Sequence, residues 1–270
     1  MIIINLTGGL GNQMYQYAIG RYISINNKTK LKYHFTSALL NTKRDFELDV
    51  FNIKATKATS EDLKRMGTAQ NRYVNRILYL LDERMSIRFN PRIVTQRFPL
   101  SFDIKLRNTP DNSYVQGYFA DEKYFEGIED VLLDDFTLKI PLVQVNLRLI
   151  EKMREVNSVS LHVRRGDYLT NKTNIPQFIG TQYYLDSIQQ IQKKVVNPYY
   201  FVFSDDISWC KVQFKNLENV TFVDHNTAKS SYKDLILMSK CRHNIVANST
   251  FSWWGAWLNK NKEKIRIFPK

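Results

Sequence analysis

Cysteine is scarce in this chain: Cys210 and Cys241 are the 2 present in 270 residues, and neither sits in a CxxC or Cys/His spacing. That pattern excludes a disulfide framework and a structural zinc site, and it predicts two packed thiols. Long apolar runs are lacking as well. Nothing approaches the roughly 18 consecutive apolar residues of a membrane-spanning helix. The opening MIIINLTGG has neither the basic flank nor the small-residue cleavage site of a secretory signal. A soluble, cytoplasmic chain is expected. A third glycine is missing too: in GGLGNQM the position that a GxGxxG dinucleotide fingerprint reserves for glycine is Met14. No acidic residue closes a clear second strand either, so a nicotinamide dinucleotide site is not indicated.

What the chain has in surplus is positive charge, 39 Lys and Arg against 26 Asp and Glu, for a net +13. Such a surplus favours phosphate-bearing partners, whether nucleic acid, a nucleotide-linked substrate or phospholipid headgroups, and composition alone does not choose among them. With 43% apolar residues and 13% aromatics, the chain can build one large core or two moderate ones.

Residues 1 to 27 read as a strand, a tight loop through TGGLGN, and a helix with Met14, Tyr17, Ala18, Tyr22 and Ile25 on one face. Between 36 and 110 the clearest element is an amphipathic helix: Val74, Ile77, Leu78, Leu81 and Met85 form a stripe, with Arg72, Arg76, Arg84 and Arg88 off it. From about 155 strands and helices alternate. SVSLHV, YYFVFS, VTFVDH, NIVAN and KIRIFP are the strands. The helices between them include YYLDSIQQIQKKV, with Leu185, Ile188, Ile191 and Val195 aligned, and YKDLILMSKC, opened by a Ser231/Asp234 capping box. This alternation predicts parallel sheets and hence two α/β domains facing across a cleft. Their boundary is expected in the connector 138 to 156, giving domains 1–145 and 146–270.

In parallel sheets ligands bind beyond the carboxyl ends of the strands, and RRGD, SDD and NST each follow an apolar β run. Arg164 and Arg165 offer a multi-donor fork suited to a diphosphate, and Gly166 lets the backbone come close. The bland alternative is a salt-bridge cluster with Asp167. Asn248, Ser249 and Thr250 gather hydroxyls and N–H groups at a helix start, which suits an anion or ordinary capping. Asp205 and Asp206 can accept hydrogen bonds from a guanine edge, or Asp206 can cap a helix. No nearby set of carboxylates or histidines suggests a divalent metal. Trp253, Trp254 and Trp257, at helical spacing, read as core. Gly8, Gly9 and Gly11 permit the tight loop that offers Asn12 and Gln13 toward the cleft.

Taken in order, GGLGNQMYQYA, QGYFADEKYF, HVRRGDY, FSDD and NSTFSWWGAWLN resemble glycosyltransferase family eleven, the α-1,2-fucosyltransferases, and its bacterial members especially. The resemblance implies a GT-B-like pair of Rossmann-like domains. It also implies a metal-independent, inverting transfer of L-fucose from GDP-β-L-fucose to the 2-hydroxyl of a terminal galactoside, with no cofactor beyond the donor. Arg164 and Arg165 would then grip the diphosphate, and His162 with Asp205 or Asp206 would hold the guanine. Ser249, Thr250 and Phe251 would line phosphate and sugar. Gly11, Asn12 and Gln13 would face the donor from the first, acceptor-side domain. Catalysis would fall to Arg164, Asn12 and Asp167, the last as base. The acceptor would be a galactose-terminated oligosaccharide or lipid-linked glycan, met in the cytoplasm with peripheral contact at an inner membrane, and nucleic acid would not be a partner. Relatives usually continue beyond IRIFPK, so a short further segment is expected. Two alternatives stay open: a basic nucleic-acid-binding protein, and a transferase using another GDP-sugar such as GDP-mannose.

Overall fold

Five successive residues, Ile2–Leu6, are buried on both faces and form strand β1, the centre of the first sheet. A continuous apolar run of this kind is what a parallel sheet covered on both sides requires. The computed structural model describes residues 1–36, 45–68, 90–97, 100–166 and 178–269. The stripe expected over 74–85 lies outside them. The chain divides into two units, Met1–Ile140 and Pro141–Lys270.

In the first unit β1 pairs with β2 (Leu31–Phe35) and β5 (Ser113–Gln116), flanked by β3 (Thr56–Lys57) and β4 (Ile93–Thr95). The described strands are all parallel, in the order β3-β2-β1-β5-β4. Helix Leu10–Asn26 follows β1 after a turn in which Gly8 takes φ +76°, a conformation that favours glycine. The helix begins at Leu10, earlier than the loop through TGGLGN allowed, because Gly9 serves as N-cap and Leu10 is already buried. Gly11, Asn12 and Gln13 therefore stand in its first turn. Farther along, Tyr17 Oη and Arg21 Nε both donate to the buried carboxylate of Asp135, at 2.7 and 2.9 Å, tying this helix to the end of the unit.

The second unit carries β6 (Asn157–Val163), β7 (Pro198–Ser204), β8 (Val220–Val223), β9 (His243–Ile245) and β10 (Arg266–Ile267), again parallel, in the order β10-β9-β6-β7-β8. Helix Gln144–Glu155 belongs to this unit. Its Asn146 is fully buried and bonded to His225 and Asn226. A boundary at 145/146 would cut that helix in its first turn, which is why the division falls at 140/141. Cys210 and Cys241 are buried, unbridged thiols, and burial pushes Cys210 up to about 11. Trp254 is fully buried, while Trp253 and Trp257 are only partly so.

Two local expectations give way to tertiary packing. On helix Thr181–Gln192 the buried face is Tyr184, Ser187, Ile188 and Ile191, and Leu185 is 39% exposed. The Ser231/Asp234 capping box does not form: Ser231 has helical backbone angles and makes no side-chain cap. Asp234 accepts instead from Asn226 Nδ2 at 2.8 Å. Burial raises this carboxyl from 3.8 to about 7. Between those values the folded chain keeps a proton that the unfolded chain has released, so this group's contribution is lost as pH rises through 7. Asp234→Asn keeps the acceptor and removes the titration. Urea unfolding should find it as stable as the parent near pH 4 and about 1 to 3 kcal/mol more stable above pH 7.

Candidate nucleotide-sugar site

From β6 the chain runs outward through β7 and β8, then crosses to β9 and β10 on the other side. The carboxyl end of β6 is therefore a topological switch point, where open α/β sheets bind ligands. Three sequence motifs meet at this edge of the second unit. His162 is the penultimate residue of β6, only 5% exposed, and its Nδ1 has no hydrogen-bond partner among the described residues. Burial first, and the Arg164 charge second, push the imidazole down to about 3 despite the opposing pull of Asp205, so the ring is neutral at any working pH. The Phe251 ring lies 5.7 Å from it.

The strand register puts Val163 beside Ser204, and the residues that follow continue in step. Arg164 Nη1 meets Asp205 Oδ2 at 2.9 Å, and Arg165 Nη1 meets Asp206 Oδ2 at 2.5 Å. The Arg165 backbone N–H also donates to Asp205 Oδ1 at 2.9 Å. Both arginines are thus ion-paired with the SDD aspartates, a pairing not anticipated from sequence. Asp167, the expected base, lies outside the described residues. Asp206 also caps helix Ile207–Gln213 by accepting from Trp209 N–H at 3.2 Å, so it performs its bland role and its ionic one together. An incoming guanine edge would have to share or replace these guanidinium contacts. Gly166 permits the arrangement, since a Cβ there would stand 2.9 Å from Asp205 Oδ2.

The two arginines are not equivalent. The Arg165 guanidinium lies 4.8 Å above the Trp209 ring and 6.0 Å from that of Phe178, with Nε buried and unpartnered among the described residues. It is packed as a post. Neither Trp209 nor Phe178 was singled out from sequence, although an aromatic three residues after a capping aspartate is the available signal. Ser249 is the N-cap of helix Thr250–Trp257, accepting from Phe251 N–H at 3.3 Å, so its hydroxyl does the ordinary capping task. Thr250 opens that helix, and Phe251 is half-buried.

At the corresponding edge of the first unit the expectation for Gln13 is corrected. Its side chain is fully buried. Nε2 donates to Gly8 O at 2.8 Å and Asp45 O at 2.9 Å, and Oε1 accepts from Glu47 N–H at 2.9 Å. An amide so committed is a fastener and has no donor left for a sugar. Gly11 is buried beside it, and Asn12 is half-buried with its amide over Gly8. Gln16, not anticipated, is a second fastener: it accepts from Thr7 N–H at 2.8 Å and donates to Gly117 O at 3.0 Å, joining the ends of β1 and β5. Among the described residues no three His, Cys, Asp or Glu side chains are grouped to hold a metal ion.

Comparison with known proteins bears on the family and fold of the chain. The sequence profile described as glycosyl transferase family 11 matches residues 98–270. An Escherichia coli protein named O-antigen biosynthesis glycosyltransferase WbnK is 33% identical over 98% of this chain and 92% of its own. An alpha-1,2-colitosyltransferase of the same organism is 34% identical over 100% and 91%. The mouse galactoside 2-alpha-L-fucosyltransferase Sec1 is 26% identical over 62% of this chain and 48% of its own. Among solved structures, NodZ, an alpha-1,6-fucosyltransferase soaked with GDP-fucose, superposes with TM-score 0.51 at 13% identity, covering 95% of this chain and 91% of that one. A FUT1 mutant of Arabidopsis thaliana in complex with GDP gives 0.54 at 11%, covering 100% and 70%. At such identities the likeness is one of fold, and that fold is GT-B-like. With two full-length relatives above 30% identity and the family profile covering the whole second unit, this chain belongs to glycosyltransferase family 11.

Proposed function

We propose that the chain transfers L-fucose from GDP-β-L-fucose to the 2-hydroxyl of a terminal galactoside, with inversion. The observation that carries this reading is the cluster of His162, two arginines and two aspartates at the switch point of the second unit. As the bond between fucose C1 and the phosphate oxygen breaks, negative charge collects on GDP and the ring gains oxocarbenium character. The acceptor oxygen closes on C1 from the opposite face and gives up its proton. Arg164 is the guanidinium placed to meet the diphosphate, with a charge that does not titrate and no need of a metal. Arg165, stacked and paired, positions Asp206 and the loop. Neutral His162, with its unpartnered Nδ1, and the neighbouring aspartates would face the guanine, and Phe251 and Thr250 the sugar and phosphate. Asp167 stays the proposed base for the acceptor proton.

A second reading concerns the donor. The full-length relative named for colitose, a fucose lacking its 3-hydroxyl, matches more of this chain than the galactoside fucosyltransferase does. An oligosaccharide or lipid-linked glycan acceptor, and contact with a membrane surface, remain part of the proposal. No described helix is long and apolar enough to cross a membrane.

The test is incubation with GDP-fucose and lactose in the presence of a chelator, reading fucosylated product and released GDP, with GDP-colitose and GDP-mannose as competing donors. Product from GDP-fucose is expected. Preferential use of another GDP-sugar would reassign the donor. Neither product nor donor hydrolysis with any of them, across varied galactosides, would sink the transferase reading.

A further inference from the structure

The first unit carries a pair of stacked aromatic rings beside its second strand. Tyr33 and Phe46 lie face to face, 4.5 Å between centroids and 9° between planes. Phe35, the last residue of β2, meets Phe46 edge-on at 6.0 Å. All three rings are only half-buried, and the exposed Asp49 is near enough for its charge to act on the Tyr33 hydroxyl. Phe46 comes from no strand or helix. It is held on the short strap Asp45–Glu47, which Gln13 fastens to the Gly8 turn through the three hydrogen bonds described above. A fully buried amide is thus spent on presenting one partly exposed ring beside another, tying it to the turn at the carboxyl end of β1, the end at which parallel sheets take ligands.

Half-exposed aromatic faces bordered by a carboxylate are the chemistry that recognises a pyranose. The sugar's C–H face rests on the ring, and its hydroxyls donate to the carboxylate. We infer that the Tyr33–Phe46 pair, with Asp49 at its border, is the platform for the acceptor galactoside, and that Gln13 is its positioning residue. This rests on the transferase reading, which requires an acceptor to be held in addition to the nucleotide sugar.

The full chain is assayed with lactose as acceptor, alongside GDP affinity by calorimetry and donor hydrolysis without acceptor. Phe46→Leu keeps apolar bulk but removes the aromatic face, whereas Phe46→Tyr keeps it. Phe46→Leu should raise the lactose KM about five- to tenfold. GDP affinity and donor hydrolysis should be unchanged, and Phe46→Tyr should stay within about twofold of the parent. An unchanged lactose KM in Phe46→Leu would overturn the platform. Equal damage by both variants, or a wild type that hydrolyses donor without any saturable response to lactose, would do the same. A wild type that neither binds GDP nor hydrolyses donor would instead count against the transferase reading itself.

Discussion

Arg164→Ala should lower the transfer rate by about 10²- to 10³-fold, the loss seen when one preorganised donor to a developing negative charge is removed. GDP affinity should fall with it, because on the proposed reading the same guanidinium would meet the ground-state diphosphate. Arg165→Ala should behave differently. Its guanidinium is paired with Asp206 and stacked over Trp209, so its removal should cost about 1 to 3 kcal/mol of stability. Losses in rate should then follow from a loosened loop. Initial rates, calorimetry with GDP and urea unfolding on both variants separate the two roles. Equal rate losses with unchanged stability in both would return the arginines to a shared grip on the diphosphate.

Gln13→Glu should destabilise the chain by about 3 to 5 kcal/mol although it changes one heavy atom. The amide nitrogen that donates to Gly8 O and Asp45 O becomes an oxygen facing two carbonyl oxygens, in a site with no solvent exposure. A carboxyl buried there would have its pKa raised, so the folded chain would hold a proton longer than the unfolded one and the deficit would grow as pH rises. Urea midpoints at pH 5 and pH 8 measure both the size and the sign. Gln13→Met, similar in volume and uncharged, should lose less and show no such pH dependence. A Gln13→Glu variant as stable as its parent at pH 8 would mean that the strap is not fastened as described.

The second unit was largely legible from sequence because its strands are short, apolar and separated by helices of ordinary period. The two α/β units with parallel sheets and the motifs at strand ends follow from that alternation, whereas the GT-B-like class is what the family resemblance implies. What was not legible depends on contacts between distant segments. Nothing local pairs Arg165 with Asp206, 41 positions away; the register of β6 on β7 does. The Asp234 capping box has the right spelling, yet a half-buried amide from a neighbouring loop outcompetes it. Leu185 fits a helical stripe as well as Tyr184 does, and only the sheet beneath decides between them. Gln13 followed glycines and read as a loop residue, whereas the early start of helix Leu10–Asn26 turned it inward.

The pairing of two arginines with two aspartates means that, at the proposed nucleotide site, these four charges compensate one another in a chain of net charge +13. Long-range attraction therefore contributes little at that spot, and RNA or acidic lipid passing over it meets cations already compensated. Only a ligand that seats base and sugar as well can make up for parting a guanidinium from its carboxylate. If the site takes a nucleotide sugar as proposed, discrimination against other polyanions would be built into its resting state.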